Sequence, residues 1–164
     1  MNAMIAEPEN QYRYQDQRNR QDVLTPSGPV QRPDIRVLVV DDFAAYRQSL
    51  MTLITVLDGL RAVGVAADGV QALALCEVLQ PEVVLMDIEM PMLDGIECSQ
   101  VIKARWPRIK IIGLTGFEES DRIQEMIDAG VWGCLPKTTS SEELHQAIIT
   151  AAYEYASEAA VQGS

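Results

Sequence analysis

The chain has 164 residues, with 13 basic against 24 acidic side chains and a net charge of -11, a balance that disfavours a nucleic-acid backbone or an anionic membrane as direct partner. The length accommodates one domain with a full core plus a tail, and not two comfortable domains. Three widely spaced cysteines in apolar sequence (Cys76, Cys98, Cys134), no apolar stretch of transmembrane length and no basic-then-apolar signal pattern lead to the expectation of a cytoplasmic protein.

Residues 1–33 are dominated by Gln, Asn, Arg, Asp, Glu and Pro, and 11–22 are polar on every face. Such a stretch buries too little to offset its ordering entropy, so a disordered N-terminal tail is expected. Thr25-Pro26-Ser27-Gly28-Pro29 reads as a linker. The folded domain is expected over 34–160, with 161–164 as a C-terminal tail.

From Asp34 onward, short β-branched runs alternate with longer helical ones. Strands are predicted at Ile35–Val40, Arg61–Ala66, Val83–Met86, Lys110–Leu114 and Gly133–Leu135. Helices are predicted at Ala44–Leu57, Gly69–Leu79, Gly95–Trp106, Asp121–Ala129 and Glu142–Ala159. In the first of these, Tyr46, Leu50, Leu53, Ile54 and Leu57 recur at spacings of three and four and make one apolar face. The last opens on Thr139-Ser140-Ser141 as capping candidates, with Glu142 and Glu143 at the positive end of the dipole. Strand–helix alternation implies an α/β fold, a doubly wound parallel sheet with helices on both faces. Ligands of such sheets sit beyond the carboxyl ends of the strands.

Polar residues stand at those ends. Asp41 and Asp42 follow the first strand and Asp87 the third, so three carboxylates cluster at two strand ends and call for a hard divalent cation, magnesium above all. Taken alone, Asp42 is open to a reading as a helix cap and Asp87 to one as a turn opener. Thr115 ends the fourth strand and Lys137 the fifth; alone, Thr115-Gly116 is a turn and the lysine a solvated cation. Pro136 cannot donate to a ladder, which places the fifth strand at the sheet border.

Val37-Leu38-Val39-Val40-Asp41-Asp42, Met86-Asp87-Ile88-Glu89-Met90-Pro91-Met92-Leu93-Asp94-Gly95, Leu114-Thr115-Gly116 and Leu135-Pro136-Lys137 together resemble a bacterial two-component response-regulator receiver domain, over about Asp34 to Ala152. The resemblance implies a flavodoxin-like fold with strand order 2-1-3-4-5. It implies that Asp87 accepts a phosphoryl group from a histidine kinase or phosphotransfer protein. Thr115 and Lys137 would stabilise the transferring group. Magnesium would be held by Asp42, Asp87 and the backbone carbonyl of Glu89, with Asp41 acting largely through bound water. Pro91 sets the loop after the site, Asp94-Gly95 leads into the third helix with Asp94 as a cap, and Glu89 and Phe117 flank the phosphoryl position.

The chain departs from the family pattern in two places. Many receivers carry Tyr or Phe three residues before the lysine, where this chain has Cys134, and a proline after it, where this chain has Thr138. Trp132 shares the strand face of Cys134 if the alternation extends that far. The expected readout therefore runs through the Thr115-to-Phe117 loop and the fourth helix.

Phe43 to Leu50 and Tyr153 to Glu158 resemble the subfamily whose receivers precede a helix-turn-helix DNA-binding domain, yet the sequence stops at Ser164. The expectation is a stand-alone receiver that signals through a downstream protein effector, without direct nucleic-acid or membrane binding; a phosphorylation-dependent homodimer is left open. The alternatives are a phosphorylation-independent adaptor and the truncated regulatory half of a DNA-binding regulator. No enzyme is expected: an aspartyl-phosphate hydrolase would use a second aspartate two residues after the nucleophile, where Glu89 stands.

Overall fold

The computed structural model describes residues 32–116 and 120–163. The expected tail through residue 31, Phe117 and Ser164 lie outside the described residues. The elements, in chain order, are β1 (Ile35–Val40), α1 (Ala44–Val56), β2 (Leu60–Ala66), α2 (Gly69–Leu79), β3 (Val83–Asp87), α3 (Gly95–Arg105), β4 (Lys110–Thr115), α4 (Ser120–Asp128), β5 (Gly133–Pro136) and α5 (Ser141–Gln162).

The strands form one parallel sheet in the order β2-β1-β3-β4-β5, the flavodoxin-like arrangement. Continuous apolar runs suit β1, β3 and β4 because each is covered on both faces: Val37, Leu38, Val39, Val40, Val83, Val84, Leu85, Met86, Ile111, Ile112 and Leu114 are all fully buried. Alternate side chains feed two cores. Leu38, Val40, Val84, Met86 and Ile111 pack with Ala72 of α2, Ile96 and Ile102 of α3 and Met126 of α4. Val37, Val39, Leu85, Ile112 and Leu114 pack with Leu50 and Ile54 of α1 and Leu144, Ile148, Ala151 and Ala152 of α5. Pro136 ends β5 on the sheet border, opposite Thr115, where its missing N–H costs no ladder bond.

Caps set several helix starts. Asp68 accepts from the Gln71 N–H at 2.8 Å, and Asp94 from the Glu97 N–H at 2.9 Å. Ser140 and Glu143 form a reciprocal capping box. The apolar stripe expected on α1 holds: Leu50 and Ile54 are buried, and Tyr46, Leu53 and Leu57 pack against them half-buried.

Boundaries differ from expectation where tertiary pairing wins. Asp87 and Thr115 belong to their strands, each with a ladder partner. The last helix runs three residues past Ala159, so 161 and 162, expected in a tail, are helical; Ala151, Ala152, Ala156, Ala159 and Ala160 sustain it through high intrinsic propensity.

Candidate functional site

The carboxyl edge of the sheet brings the polar strand ends together. Asp41 follows β1, and its N–H donates to the Ala66 carbonyl at 3.1 Å, so its backbone continues the β1–β2 ladder by one step. Its side chain is fully buried; Oδ1 accepts from the Phe43 N–H at 2.8 Å, and its carbonyl accepts from the Arg47 guanidinium at 2.6 Å. Asp42 is exposed and does not cap α1, whose N-cap is Phe43 with no side-chain cap bond.

Asp87 is the last residue of β3 and only 5% exposed. Its backbone is braced from behind by Gly95: the Gly95 N–H donates to the Ile88 carbonyl at 2.8 Å, and a Cβ at Gly95 would run into the Asp87 carbonyl oxygen. Asp94-Gly95 thus has two separate duties, a cap and a close backbone approach. On the neighbouring strand, Thr115 is buried and its hydroxyl donates to the Gly116 carbonyl at 3.2 Å. Lys137 follows β5, with its N–H on the Thr115 carbonyl at 2.7 Å.

One carboxylate oxygen from each of Asp41, Asp42 and Asp87 lies within 4.8 Å of the others. Lys137 Nζ sits 2.6 Å from Asp41 Oδ2 and 3.2 Å from Asp87 Oδ1. Beyond them opens a cavity of about 280 Å³ lined by Asp42, Asp87, Glu89, Gly116 and Lys137. Burial first, then the Asp41 charge, pushes the Asp87 carboxyl up to about 7, against the pull of Lys137. Lys137 is held above its ordinary value: burial works against the ammonium, but its bond to Asp41 and the Asp87 charge outweigh that cost.

A donor set of three carboxylates converging on one point, one of them resisting ionisation, fits a hard divalent cation with oxygen ligands. Asp41, Asp42 and Asp87 are the side chains placed to hold it, and Glu89 lines the same cavity. A broader hollow of about 530 Å³ adjoins the site, lined by Asp42, Glu89, Met90, Pro91, Asp94 and Arg122.

The expectation that Trp132 shares the face of Cys134 does not hold. The chain bends at Trp132 before β5 begins, and the bend shifts the alternation. Trp132 packs with the α1/α5 core and donates from Nε1 to Glu154 at 2.9 Å, whereas Cys134 packs with the α2/α3/α4 core. Where an aromatic ring is absent at 134, a hollow of about 290 Å³ is lined by Thr115, Gly116, Ile123, Cys134, Leu135, Pro136 and Thr138.

Two residues near the site escaped the sequence reading. Arg122, from α4, lies 3.1 Å from Asp94; nothing in its sequence neighbourhood points across to the β3–α3 loop. Tyr46, read as a core residue of α1, has its ring centroid 4.8 Å from Lys137 Nζ. Its i, i+4 spacing signals burial and nothing about the lysine 91 positions away.

Residues 37–149 match the family described as response regulator receiver domain. Among curated proteins, response regulator protein VraR of Staphylococcus aureus (strain Mu3 / ATCC 700698) is 35% identical over 114 residues, 70% of this chain and 54% of VraR. The chain thus spans about half the length of the curated relatives it matches. Among solved structures, the response regulator domain of Thermotoga maritima CheB is similar at 34% identity and TM-score 0.67, covering 73% of this chain and 97% of that one. A DNA-binding response regulator of the LuxR family from Staphylococcus aureus aligns at 27% identity and TM-score 0.68, covering 72% and 98%.

Proposed function

Because the chain belongs to the response regulator receiver domain family, we propose that it is a phosphorylation-controlled signalling module whose acceptor is Asp87, charged by a histidine kinase or phosphotransfer protein. The observation that carries this reading is the geometry at Asp87: a buried carboxylate at the end of the central strand, 3.2 Å from an ammonium and clustered with two more acids.

A magnesium ion held by Asp41, Asp42 and Asp87, with the Glu89 carbonyl, would neutralise charge on the phosphoryl oxygens. The Asp87 carboxylate oxygen forms a bond to phosphorus as the phosphorus–nitrogen bond of phosphohistidine breaks, leaving the electron pair on the imidazole nitrogen, which takes up a proton. Lys137 offers its ammonium to an equatorial oxygen, and the Thr115 hydroxyl turns from the Gly116 carbonyl to another. The buried strand end keeps water from all sides but the cavity.

Output runs through protein contacts rather than nucleic acid, a reading supported by the net charge of -11. The state of Asp87 is reported by Thr115 and α4: the hollow beside Cys134 leaves no ring to swing, and the Arg122–Asp94 ion pair ties α4 to the start of α3. Structures with and without a phosphoryl mimic test this, since an unchanged segment between Thr115 and α4 would remove the proposal. A reducing, cytoplasmic setting fits three free cysteines, and among the described residues no helix is long and apolar enough to cross a membrane.

The acceptor is tested by incubating the protein with a small acyl phosphate and magnesium and weighing it beside Asp87→Asn. A phosphoryl mass gain in the native chain alone is the expected result. No gain in either, while a control receiver is modified, would favour a phosphorylation-independent adaptor.

A further inference from the structure

Lys137 has the longest side chain of the site's functional groups and the most rotatable bonds to fix. A lysine ammonium is a strongly hydrated point charge on a flexible four-carbon stem, with three donors that no planar geometry fixes. Here two sides of it are taken by Asp41 at 2.6 Å and Asp87 at 3.2 Å. A third side faces Tyr46, whose ring centroid is 4.8 Å from Nζ. The same side chain places its hydroxyl 3.4 Å from the Lys137 backbone carbonyl, a long contact.

We propose that Tyr46 is a positioning residue for phosphoryl transfer to Asp87, its ring holding the Lys137 ammonium between Asp41 and Asp87 from the α1 side. The inference rests on the acceptor reading of Asp87 given above. The ring does what water cannot do at this place. It satisfies the ammonium electrostatically through its quadrupole without offering a hydrogen-bond acceptor that would compete with the carboxylates or with an incoming phosphoryl oxygen. It also blocks the rotamers that would carry Nζ away from the cavity towards α1.

Tyr46 itself is held by α1: it sits one turn before Leu50 and packs half-buried against the α1/α5 core. The Lys137 backbone is fixed independently, through its N–H on the Thr115 carbonyl at 2.7 Å. Stem root and ammonium are therefore restrained chiefly by different groups, the root by the β4 backbone and the ammonium by Asp41, Asp87 and the ring carried on α1.

The test uses the full chain with Tyr46→Phe, which keeps the ring and loses the hydroxyl, and Tyr46→Leu, which keeps apolar bulk and helix propensity and loses the ring. Phosphorylation is followed against the concentration of a small acyl phosphate in saturating magnesium. The ring argument gives a Tyr46→Phe rate within about twofold of native and a Tyr46→Leu maximal rate lowered about fivefold, with the half-saturating donor concentration unchanged. A second readout needs neither metal nor donor. Lysines occur only at 103, 110 and 137, so the Hε protons of Lys137 are assignable, and they should lie upfield in the native protein and Tyr46→Phe through the ring current.

Unshifted Lys137 Hε protons in the native protein, a Tyr46→Leu chain as fast as native, or a Tyr46→Phe chain as slow as Tyr46→Leu would each overturn the proposal. A native chain that gains no phosphoryl group would instead overturn the acceptor reading, whatever the Lys137 resonances show.

Discussion

Lys137 lies closer to Asp41 than to Asp87, 2.6 Å against 3.2 Å. The ammonium is thus paired chiefly with the fully buried acid and only secondarily with the proposed acceptor. Arrival of a divalent cation among the three carboxylates would loosen its hold on Asp41, so that in the proposed transfer Lys137 would serve first as an ion-pair partner and then as a partner of the phosphoryl group.

Removing the ammonium should therefore cost stability as well as chemistry. Lys137→Gln leaves a wholly buried carboxylate with a backbone donor but no counter-charge, and a loss of about 2 kcal/mol is expected in chelated buffer. Magnesium should narrow the gap, because without the competing ammonium at Asp41 and Asp87 the variant binds the ion more tightly and gains more from mass action than the native chain does. Urea unfolding of both proteins with and without magnesium measures this; an equal deficit in both conditions would contradict it.

Asp87 sets a pH dependence. Its carboxyl is pushed up to about 7 from an ordinary value of 3.8, so below about pH 4 both the folded and unfolded chains carry the proton. Between there and about 7 the folded chain keeps a proton that the unfolded chain has released, and stability from this group falls as the pH rises. In chelated buffer, Asp87→Asn should gain on the native protein from about pH 4.5 to about 7 and level off above that, read from urea midpoints. Magnesium affinity should climb over the upper part of the same window, since the proton must leave before the cation is held.

Gly95→Ala tests the brace behind the acceptor. The added methyl would meet the Asp87 carbonyl oxygen and the Ile88 backbone, so either β3 shifts or α3 does. A loss of about 2 kcal/mol is expected, together with slower phosphoryl labelling at Asp87. Thermal unfolding and mass spectrometry report the two separately, and a variant with native values for both would show that the loop yields freely.

Asp94 and Arg122 should part company. Burial alone would raise the Asp94 carboxyl, but the Glu97 N–H and Arg122 together hold it below the usual range. Asp94→Ala removes a helix cap and should cost about 1 kcal/mol. Arg122→Gln breaks a half-exposed ion pair and should cost only a few tenths. Chemical denaturation of the two variants separates capping from pairing; equal costs would mean that the guanidinium contributes as much as the cap.

Much of this arrangement was legible in advance. The acids, the hydroxyl and the lysine each stand where an apolar run ends, and a parallel sheet must deliver such positions to one edge; Pro136 announced the border strand by the hydrogen bond it cannot make. What stayed hidden depends on tertiary placement. Tyr46 carries the same spacing as its core neighbours, so only the placement of α1 against β1 and β2, with Lys137 reaching inward from the end of β5, reveals its ring against the ammonium. The phase of Trp132 was lost to a single bend, because alternation holds only inside a strand. The preference of Lys137 for Asp41 turns on tenths of an ångström that no pattern encodes.

The strand order also sets a length standard for the site. Asp87 ends β3 and Lys137 follows β5, with Thr115 on β4 between them, and at roughly 4.8 Å per strand the two chain positions are separated by roughly 10 Å along the sheet. A short polar residue on β5 would stop above Thr115 and never meet the acceptor. The long aliphatic stem of lysine spans that gap and brings Nζ to 3.2 Å from Asp87 Oδ1. Width across the sheet, rather than distance along the chain, thus dictates which residue type can serve at each strand end: a short acid on the central strand, a small hydroxyl one strand out and a long cation at the border.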